Sequence, residues 1–340
     1  MTDNNEVVMA KVHKIINDPE NIVDEVLDGL VAISRGLLTR EPGSRVVKRA
    51  ELDEGKVGLV VGGGSGHEPM YGAFVGPGLA SASVSGDIFA APAPPHVQEA
   101  IEAADTGAGV LLVYGNYAGD CMNFDMGAED AADDSGVQTK TVLVRDDVAT
   151  PDIEGRRGIG GAFYVVKAAG AACAKGLSLD EAAAATERVQ HNTRTIGVAV
   201  KAGTLPDTGK LTFELGDDEI EIGLGVHGEM GVERSKMMSA DELAVNMVDR
   251  VANDLPFVEG DRVAVLMNNL GATTQMEMLI VYRKVAQLLA ERGLKIERTD
   301  IGAHFTSQEM AGFSLTLLKL DDEIAELIAA PCTSVPYTQA

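Results

Sequence analysis

Short apolar segments alternate with amphipathic segments along the first half of the chain. Three segments have apolar residues at helical spacing, and Asp18-Pro19 supplies a cap and a first-turn proline for the first of them: NIVDEVLDGLVAI, PHVQEAIEAAD and GGAFYVVKAAGAACAKG. Four runs between and beside these segments predict buried strands: VGLVV, ASVS, GVLLVY and KTVLVRDD. Strands that alternate with helices predict βαβ units and a largely parallel sheet.

The second half of the chain has a different pattern. Two helices are predicted by capping boxes, Ser178 with Glu181 and Ser239 with Glu242. A third, long helix is predicted from about Thr273 to Arg292. Six strands are predicted around these helices: TIGVAV, KLTFEL, EIEIGLGV, RVAVLMNNL, KIERTDIG and GFSLTLLKL. We therefore predict an α/β fold of two domains, an N-terminal one of residues 1–190 with a largely parallel sheet and a C-terminal one of residues 191–340 with a mixed sheet.

Composition and charge limit the classes of function. The 340 residues suffice for two domains, and 28 basic against 52 acidic side chains give a net charge of −24. Such a surface repels nucleic acid and anionic membranes, and no basic patch interrupts it. The three cysteines are too scattered for a zinc site or a disulfide framework. The N-terminal sequence lacks a leader pattern, and no run approaches the roughly 18 apolar residues of a membrane span. We therefore expect a soluble, cytoplasmic protein.

One glycine-rich loop resembles a phosphate-binding loop but matches neither the dinucleotide fingerprint nor the P-loop pattern. The segment VVGGGSGHEPMYG follows an apolar strand, but the sixth position of a dinucleotide fingerprint counted from Gly62 is His67. A P-loop needs Gly-Lys followed by Ser or Thr, whereas this loop ends in SGHEP. The segment predicts a strand that ends in a flexible glycine turn, whose backbone N–H groups suit a small polar ligand.

Two further glycine-rich segments contain reactive side chains. GNYAGD ends at Asp120 just after a predicted strand, where parallel sheets bind ligands, and GLGVHGEMG sets His227 between glycines. Each has a structural alternative, since Asp120 can be a helix cap and a loop histidine is more often a surface residue. A zinc hydrolase is not supported, because HEPMY lacks a second histidine four residues on. Structural roles are expected for the other histidines, namely His13, His96, His191 and His304.

Six segments in consistent order over nearly the whole chain resemble the family of dihydroxyacetone-binding subunits of dihydroxyacetone kinases: GGGSGHEPMYGAFVGPG, GNYAGD, RRGIGG, GVHGE, NNLGATT and GFSLTLLKLDDE. In that family, two α/β domains bind dihydroxyacetone at their interface and the subunit forms a homodimer. A histidine nitrogen adds to the ketone to give a hemiaminal, and motif position implies that this histidine is His227. The resemblance implies His67 and Asp120 as acid and base, and the following substrate contacts: Gly64, Ser65, Gly66, His67 and Asp120.

The resemblance also implies what the chain lacks. No nucleotide-binding motif and no acidic Mg²⁺-binding cluster is found in the sequence, and in the family these belong to a helical nucleotide-binding kinase subunit or domain. We therefore expect no cofactor and no metal on this chain, and ADP or ATP with Mg²⁺ on a partner subunit. Recharging of that partner from ATP or from a phosphoenolpyruvate-dependent phosphocarrier stays open, as does the range of short ketoses and aldoses.

Gly115 is a departure from the family pattern. Many members have Lys directly before the NY-GD stretch, where this chain has Gly115. This departure keeps open a non-catalytic dihydroxyacetone-binding coactivator or sensor as an alternative to a kinase subunit. His67 and Asp120 favour the kinase subunit, because a sensor needs capture but no base. A nucleotide-dependent oxidoreductase is disfavoured by the failed fingerprint.

Overall fold

Two six-stranded sheets form the framework of the computed structural model, which describes residues 13–340. The first sheet has the order β1-β2-β4-β3-β5-β6, formed by β1 (Leu38–Thr39), β2 (Val46–Arg49), β3 (Gly58–Ser65), β4 (Ala82–Ile88), β5 (Val110–Gly115) and β6 (Thr139–Val144). Its four strands β4, β3, β5 and β6 are parallel, and β1 and β2 are antiparallel additions at one edge. The predicted largely parallel sheet is confirmed.

The second sheet has the order β11-β10-β12-β7-β8-β9. Its strands are β7 (Thr193–Lys201), β8 (Glu219–Ile222), β9 (Glu233–Lys236), β10 (Arg262–Asn269), β11 (Lys295–Gly302) and β12 (Ala311–Leu320). Only β10 and β11 pair in parallel among these strands, and the other neighbours are antiparallel. The predicted mixed sheet is confirmed. A hairpin of β13 (Cys332–Thr333) and β14 (Thr338–Gln339) ends the chain.

The helices lie in layers against the two sheets. They are α1 (Ile22–Ile33), α2 (Pro94–Ala104), α3 (Ala118–Ser135), α4 (Ala162–Ala174), α5 (Leu179–His191), α6 (Ala240–Asp254), α7 (Gln275–Glu291) and α8 (Asp322–Ala329). Both predicted capping boxes are present, at Ser178 and at Ser239. Asp18 caps a 3₁₀ turn, Pro19–Asn21, that leads into α1.

Alternation along the strands explains the layers. On β3, Leu59 and Val61 pack on the face that α4 and α5 cover, whereas Val60 packs on the opposite face with α2 and α3. Because α4 lies between the two sheets, all but its last residue, Ala174, are buried. Helices α6 and α7 cover the outer face of the second sheet. The order of layers is therefore helices, sheet, helices, sheet, helices.

After β12, the C-terminal segment of the chain packs against the helices of the first sheet. Helix α8 returns to pack against α4, with Ile324 and Leu327 in the same core cluster as the first sheet. Helix α5 ends at His191 and β7 begins at Thr193. The domain limits of 1–190 and 191–340 stay a prediction.

Three local predictions differ from the structure. KLTFEL is not a strand, since only Leu211 forms an isolated bridge, with Thr204. Strand β9 was not predicted, because the sequence ERSK carries no apolar alternation. The glycines after VGLVV belong to β3, which continues to Ser65. Glycine is needed at Gly62 and Gly64 because a Cβ would come within 2.5 Å of Val84 O and 2.7 Å of Ala90 N.

Within the described part of the chain, no helix combines the length and the apolar character needed to span a membrane. The N-terminal segment on which the prediction of an absent leader rests, residues 1–12, lies outside the described residues.

Candidate functional site

A small cavity lies where loops from both sheets meet. Its walls are formed by Gly62, Gly63, Gly64, His67, Tyr71, Gly115, Tyr117, Asp120, His227 and Phe305. The first sheet contributes the carboxyl ends of its adjacent parallel strands β3 and β5, the position at which open α/β sheets bind ligands. The loop after β8 contributes His227, and the loop between β11 and β12 contributes Phe305. The cavity therefore joins the three residues predicted to be catalytic.

His67 and His227 form a direct pair. The Nε2 atoms of the two rings lie 3.0 Å apart, and the rings meet edge to face. On its other side, Nδ1 of His67 lies 2.8 Å from the carbonyl oxygen of Thr306. A carbonyl oxygen only accepts, so Nδ1 of His67 carries the hydrogen. Burial, together with the charge of His227, lowers the pKa of His67 to about 3, so the ring is neutral at physiological pH.

Asp120 lies in the first turn of α3, directly after β5. The residue is buried, and its Oδ1 atom has no hydrogen-bond partner among residues 13–340. Burial raises the pKa of Asp120 from 3.8 to about 6, although the charge of His227 acts in the opposite direction. The N-cap of α3 is Tyr117, and its side chain makes no capping hydrogen bond. An unpaired buried carboxylate oxygen that lines a cavity is typical of a functional group.

Glu229 binds His227 through both carboxylate oxygens. Oε1 lies 3.0 Å from Nδ1 of His227, and Oε2 accepts a hydrogen bond from the backbone N–H of His227 at 2.9 Å. Burial alone would raise the pKa of Glu229, but the hydrogen bond and the charge of His227 lower it to about 2. Glu229 is therefore ionised at physiological pH.

The turn after β3 is tied to the second half of the chain. Gly66 has φ +100°, and a Cβ there would lie 2.7 Å from Nε2 of Gln308 and 2.8 Å from Cε1 of Phe89. The carbonyl oxygen of His67 accepts from the N–H of Thr306 at 3.2 Å, so this contact fixes the backbone that carries the ring. Only glycine has both the backbone freedom and the small volume that this turn requires.

The predicted substrate contacts divide into two groups. Gly64, His67 and Asp120 line the cavity. The hydroxyl of Ser65 instead donates to Gly86 O at 2.7 Å, and the N–H of Gly66 donates to the carboxylate of Glu68 at 3.1 Å. Neither Ser65 nor Gly66 is among the residues that form the wall. All five remain predicted contacts.

Gly115 and Tyr117 form a wall beside His227. A Cβ at Gly115 would lie 3.0 Å from Cε2 of Tyr117, so the tyrosine ring occupies the space next to this glycine. The ring of Tyr117 meets that of His227 edge to face, with centroids 4.7 Å apart. A lysine at position 115 would require Tyr117 to move. The position of Tyr117 is therefore linked to the presence of glycine, where many family members have lysine.

Several residues that line the cavity or support its histidines carried no sequence signal. Tyr117 and Glu229 lie inside the GNYAGD and GVHGEMG segments, but residue type alone did not assign them a role. Phe305 and Thr306 come from AHFTS, which contains neither a glycine cluster nor an acidic pair. Of the other histidines, His304 packs on Phe163 with ring centroids 4.5 Å apart. The sequence alone does not reveal these contacts, because they depend on the three-dimensional structure.

The RRGIGG segment, residues 156–161, connects the strands of the first sheet to the loop that carries His227. Asp146 accepts from the N–H groups of Ile159 at 2.8 Å and Gly161 at 2.7 Å. The Arg157 guanidinium donates to Asp147 at 2.8 Å and to Gly223 O at 2.7 Å, in the loop that carries His227. A charged pair from the first half thus anchors the histidine loop of the second half. Across residues 13–340, no group of three or more His, Cys, Asp or Glu side chains is arranged to hold a metal ion.

Comparison with known proteins agrees with this architecture. Residues 28–336 match the Dak1 domain family. The chain is 45% identical to the dihydroxyacetone-binding subunit of PTS-dependent dihydroxyacetone kinase 1 from Listeria innocua, over 91% of this chain and 95% of that protein.

Solved structures with the same fold include a kinase and a co-activator. The dihydroxyacetone kinase of C. freundii superimposes with a TM-score of 0.90 at 32% identity, over 96% of this chain and 60% of that one. A dihydroxyacetone kinase operon co-activator superimposes with a TM-score of 0.88 at 28% identity, over 93% and 98% of the two chains. This protein belongs to the Dak1 domain family, together with the dihydroxyacetone-binding subunits of dihydroxyacetone kinases.

Proposed function

We propose that this protein is the dihydroxyacetone-binding subunit of a dihydroxyacetone kinase and captures its substrate covalently on His227. The observation that carries the proposal is the cavity in which His227, His67 and Asp120 meet. A nucleophile, a ring that can relay a proton and an unpaired carboxylate are the groups needed to fix a short ketose and to activate its hydroxyl.

Covalent capture accounts for the choice of substrate. The Nε2 lone pair of a neutral imidazole adds to a carbonyl carbon but not to an alcohol carbon, so glycerol is not captured. Hydrogen bonds alone discriminate poorly between dihydroxyacetone and glycerol, because both molecules present the same terminal hydroxyl groups. Capture also fixes the terminal hydroxyl in one position, on which phosphoryl transfer depends.

Asp120 is proposed to accept the proton of the hydroxyl that is phosphorylated. Its Oδ1 atom is free of protein partners within the described residues, and its raised pKa of about 6 is closer to neutrality than that of an ordinary aspartate. The product would be dihydroxyacetone phosphate. His67 would exchange protons with the substrate oxygen during capture and release.

A partner subunit is proposed to supply the phosphoryl group. The chain contains no nucleotide-binding motif, and the relatives include subunits of PTS-dependent kinases. ADP or ATP with Mg²⁺ would be bound by a helical kinase subunit, which a phosphoenolpyruvate-dependent phosphocarrier recharges. Exposed methionines on α3 and in the loop that carries His227, namely Met122, Met126 and Met230, are candidates for its docking surface. Further parts of the proposal are a homodimer, a cytoplasmic location and a role in glycerol metabolism.

The proposal is tested by intact-mass measurement under native conditions. Wild type incubated with dihydroxyacetone is expected to gain the mass of one molecule, and His227→Ala is expected to gain none. His191→Ala is the matched control, because His191 is exposed on α5 and lies outside the site. An adduct that persists in His227→Ala would assign capture to another residue. Absence of an adduct in wild type with any short ketose would overturn the proposal.

The second candidate is a non-catalytic co-activator that captures dihydroxyacetone. The fold is similar to that of an operon co-activator at 28% identity, but the relatives at 39–45% identity are kinase subunits, so the kinase subunit is the favoured interpretation. The two candidates differ in whether Asp120 is needed, because a sensor requires capture but no base. A phosphorylation assay with a helical kinase subunit separates them, since a co-activator would form the adduct and give no dihydroxyacetone phosphate.

A further inference from the structure

The geometry points to Glu229 as the residue that positions His227 for covalent capture. Glu229 fixes the ring of His227 in one tautomer, and its negative charge balances the positive charge of the adduct. This inference rests on the proposed function, since it concerns how His227 performs covalent capture. Glu229 does not line the cavity itself and acts only through His227.

The first argument is a count of donors and acceptors. His227 presents two nitrogen atoms to Glu229, the backbone nitrogen at 2.9 Å from Oε2 and Nδ1 at 3.0 Å from Oε1. A carboxylate offers only acceptors, so both nitrogens must carry hydrogen. Nδ1–H is therefore the protonated position, and Nε2 is the atom that faces His67 and can present a lone pair to the substrate. The contact selects the nucleophilic nitrogen.

The second argument is the construction of the loop. The N–H of Gly225 donates to Glu229 O at 2.9 Å, and the N–H of Gly228 donates to Gly225 O at 3.1 Å. These bonds close a tight turn around His227, with Gly228 at φ +89°. A Cβ at Gly225 would lie 2.1 Å from Oε2 of Glu229, so glycine is required for the carboxylate to reach the turn. Five residues, GVHGE, thus contain both the histidine and its support.

The third argument is the proton balance of capture. With Nδ1–H of His227 facing Glu229 and Nδ1–H of His67 facing Thr306 O, the contact between the two Nε2 atoms needs a third ring proton. His67 is neutral in the resting pair, so it takes up this proton only during the addition. As the proton passes from Nε2 of His227 to His67, Nε2 of His227 bonds to the carbonyl carbon, and the C=O π pair moves to oxygen. The third proton then passes from His67 to that oxygen and completes the hemiaminal hydroxyl.

The charge balance follows from the same step. Before the addition, the two rings hold three protons and one positive charge. Afterwards His67 is neutral, and His227 bears carbon on Nε2 and hydrogen on Nδ1, which makes it an imidazolium. The positive charge therefore lies next to Glu229 in both states. A carboxylate at this position stabilises the adduct, because the opposite charges are in hydrogen-bond contact.

Substitution of Glu229 by glutamine gives a sharp test, because Gln has almost the same shape but one acceptor fewer. If the amide oxygen accepts from the backbone N–H of His227, the NH₂ group faces Nδ1 and favours the Nε2–H tautomer. We expect ¹⁵N NMR of the ligand-free Glu229→Gln protein to show the His227 Nδ1 signal shifted toward the unprotonated type. The equilibrium constant for the dihydroxyacetone adduct, measured by native mass spectrometry, should fall about tenfold.

Two further variants complete the design. Glu229→Asp keeps both acceptors and should restore the wild-type protonation of Nδ1, with part of the adduct affinity. Glu233→Gln is the matched control, since Glu233 lies on β9 and pairs with Arg250. Wild-type NMR signals together with wild-type adduct affinity in Glu229→Gln would overturn the inference. The NMR measurement needs no substrate, so it tests the role of Glu229 even if no ketose is captured and the proposed function fails.

Discussion

His67 and His227 lie 160 positions apart in the chain, yet their Nε2 atoms are 3.0 Å apart. His67 comes from the turn after β3 in the first sheet, and His227 comes from the loop after β8 in the second. The contact exists only when both sheets are folded and packed, so the cavity is a product of the whole chain. A proton can pass directly between the two rings without an intervening group.

The first prediction concerns His67. Replacement of His67 by Gln removes the proton relay and keeps a side chain of similar length. We expect the rate of adduct formation with dihydroxyacetone to fall about 10²- to 10⁴-fold, the usual cost of a lost general acid. His227 remains as the nucleophile, so an adduct should still accumulate slowly. Rapid quenching with mass detection gives the rate, and His191→Gln is the control. An unchanged rate would remove His67 from the capture step.

The second prediction is that turnover depends on the ionisation of Asp120. A base with a pKa of about 6 is protonated below that pH, so kcat should fall as the pH is lowered through about 6. Asp120→Asn should lower kcat about 10²- to 10⁴-fold and leave adduct formation on His227 intact. The assay contains the helical kinase subunit and its phosphoryl donor. Asp125→Asn, an exposed change on the same helix, should retain wild-type turnover.

The alternative for Asp120 predicts a different outcome. If the residue only supported the start of α3, Asn would serve almost as well as Asp, and kcat would stay near the wild-type value. Such a result would transfer the role of base to His67.

The third prediction is that the purified chain alone does not phosphorylate dihydroxyacetone with ATP. The sequence has neither a P-loop nor a dinucleotide fingerprint. The glycine loop that resembles these motifs contains His67, whose ring is hydrogen-bonded to Thr306 O. A coupled assay for dihydroxyacetone phosphate should give no rate until a helical kinase subunit and its phosphoryl donor are added. Sustained ATP-dependent turnover by the chain alone would contradict the division of labour between two subunits.

The layers of the fold were predictable because they depend on local patterns. Unbroken apolar runs such as GVLLVY mark strands covered on both faces, and the capping boxes at Ser178 and Ser239 mark helix starts. KLTFEL shows the limit, since its composition suits a strand but its neighbours offer no strand to pair with. Pairing is a tertiary property, and local composition does not determine it.

The site was predictable only in part, for a similar reason. Reactive side chains among glycines after strands drew attention to His67, Asp120 and His227, but their expected roles came only from the family resemblance. The proposed role of Glu229 depends on the turn that closes between Gly225 and Glu229, and residue types alone do not reveal this turn. Phe305 reaches the cavity through packing of two sheets, and no local pattern reports such a contact.

The fourth prediction concerns the turn at Gly66. Gly66→Ala introduces a Cβ at φ +100° that would lie 2.7 Å from Gln308 and 2.8 Å from the ring of Phe89. We expect the free energy of unfolding to fall by about 1–3 kcal/mol, because backbone strain and a clash combine. Gly136→Ala is the matched control, since φ is +71° and nothing lies within 4 Å of its Cβ. Equal losses of stability in the two variants, measured by denaturant titration, would contradict the prediction. They would show that the contacts of the added Cβ with Gln308 and Phe89 do not lower the free energy of unfolding.

The fifth prediction is that Asp120→Asn stabilises the protein at neutral pH. Burial raises the pKa of Asp120 from 3.8 to about 6, so between these values the folded state binds more protons than the unfolded state. Stability contributed by the protonated carboxyl is therefore present below about pH 4 and is lost as the pH rises through about 6. Above that pH, the wild type retains a buried charge that the amide lacks.

The expected gain is largest at pH 7 and vanishes near pH 3, with an upper limit on the order of 3 kcal/mol. Denaturant titrations of wild type and Asp120→Asn at both pH values measure it, with Asp125→Asn as the exposed control. A variant that gains stability at pH 7 while losing turnover would show that the wild type keeps an unfavourable buried carboxylate because catalysis requires it. Equal stability of the two proteins at both pH values would mean that Asp120 is solvated in the folded state, and its proposed role as a base with a raised pKa would then be wrong.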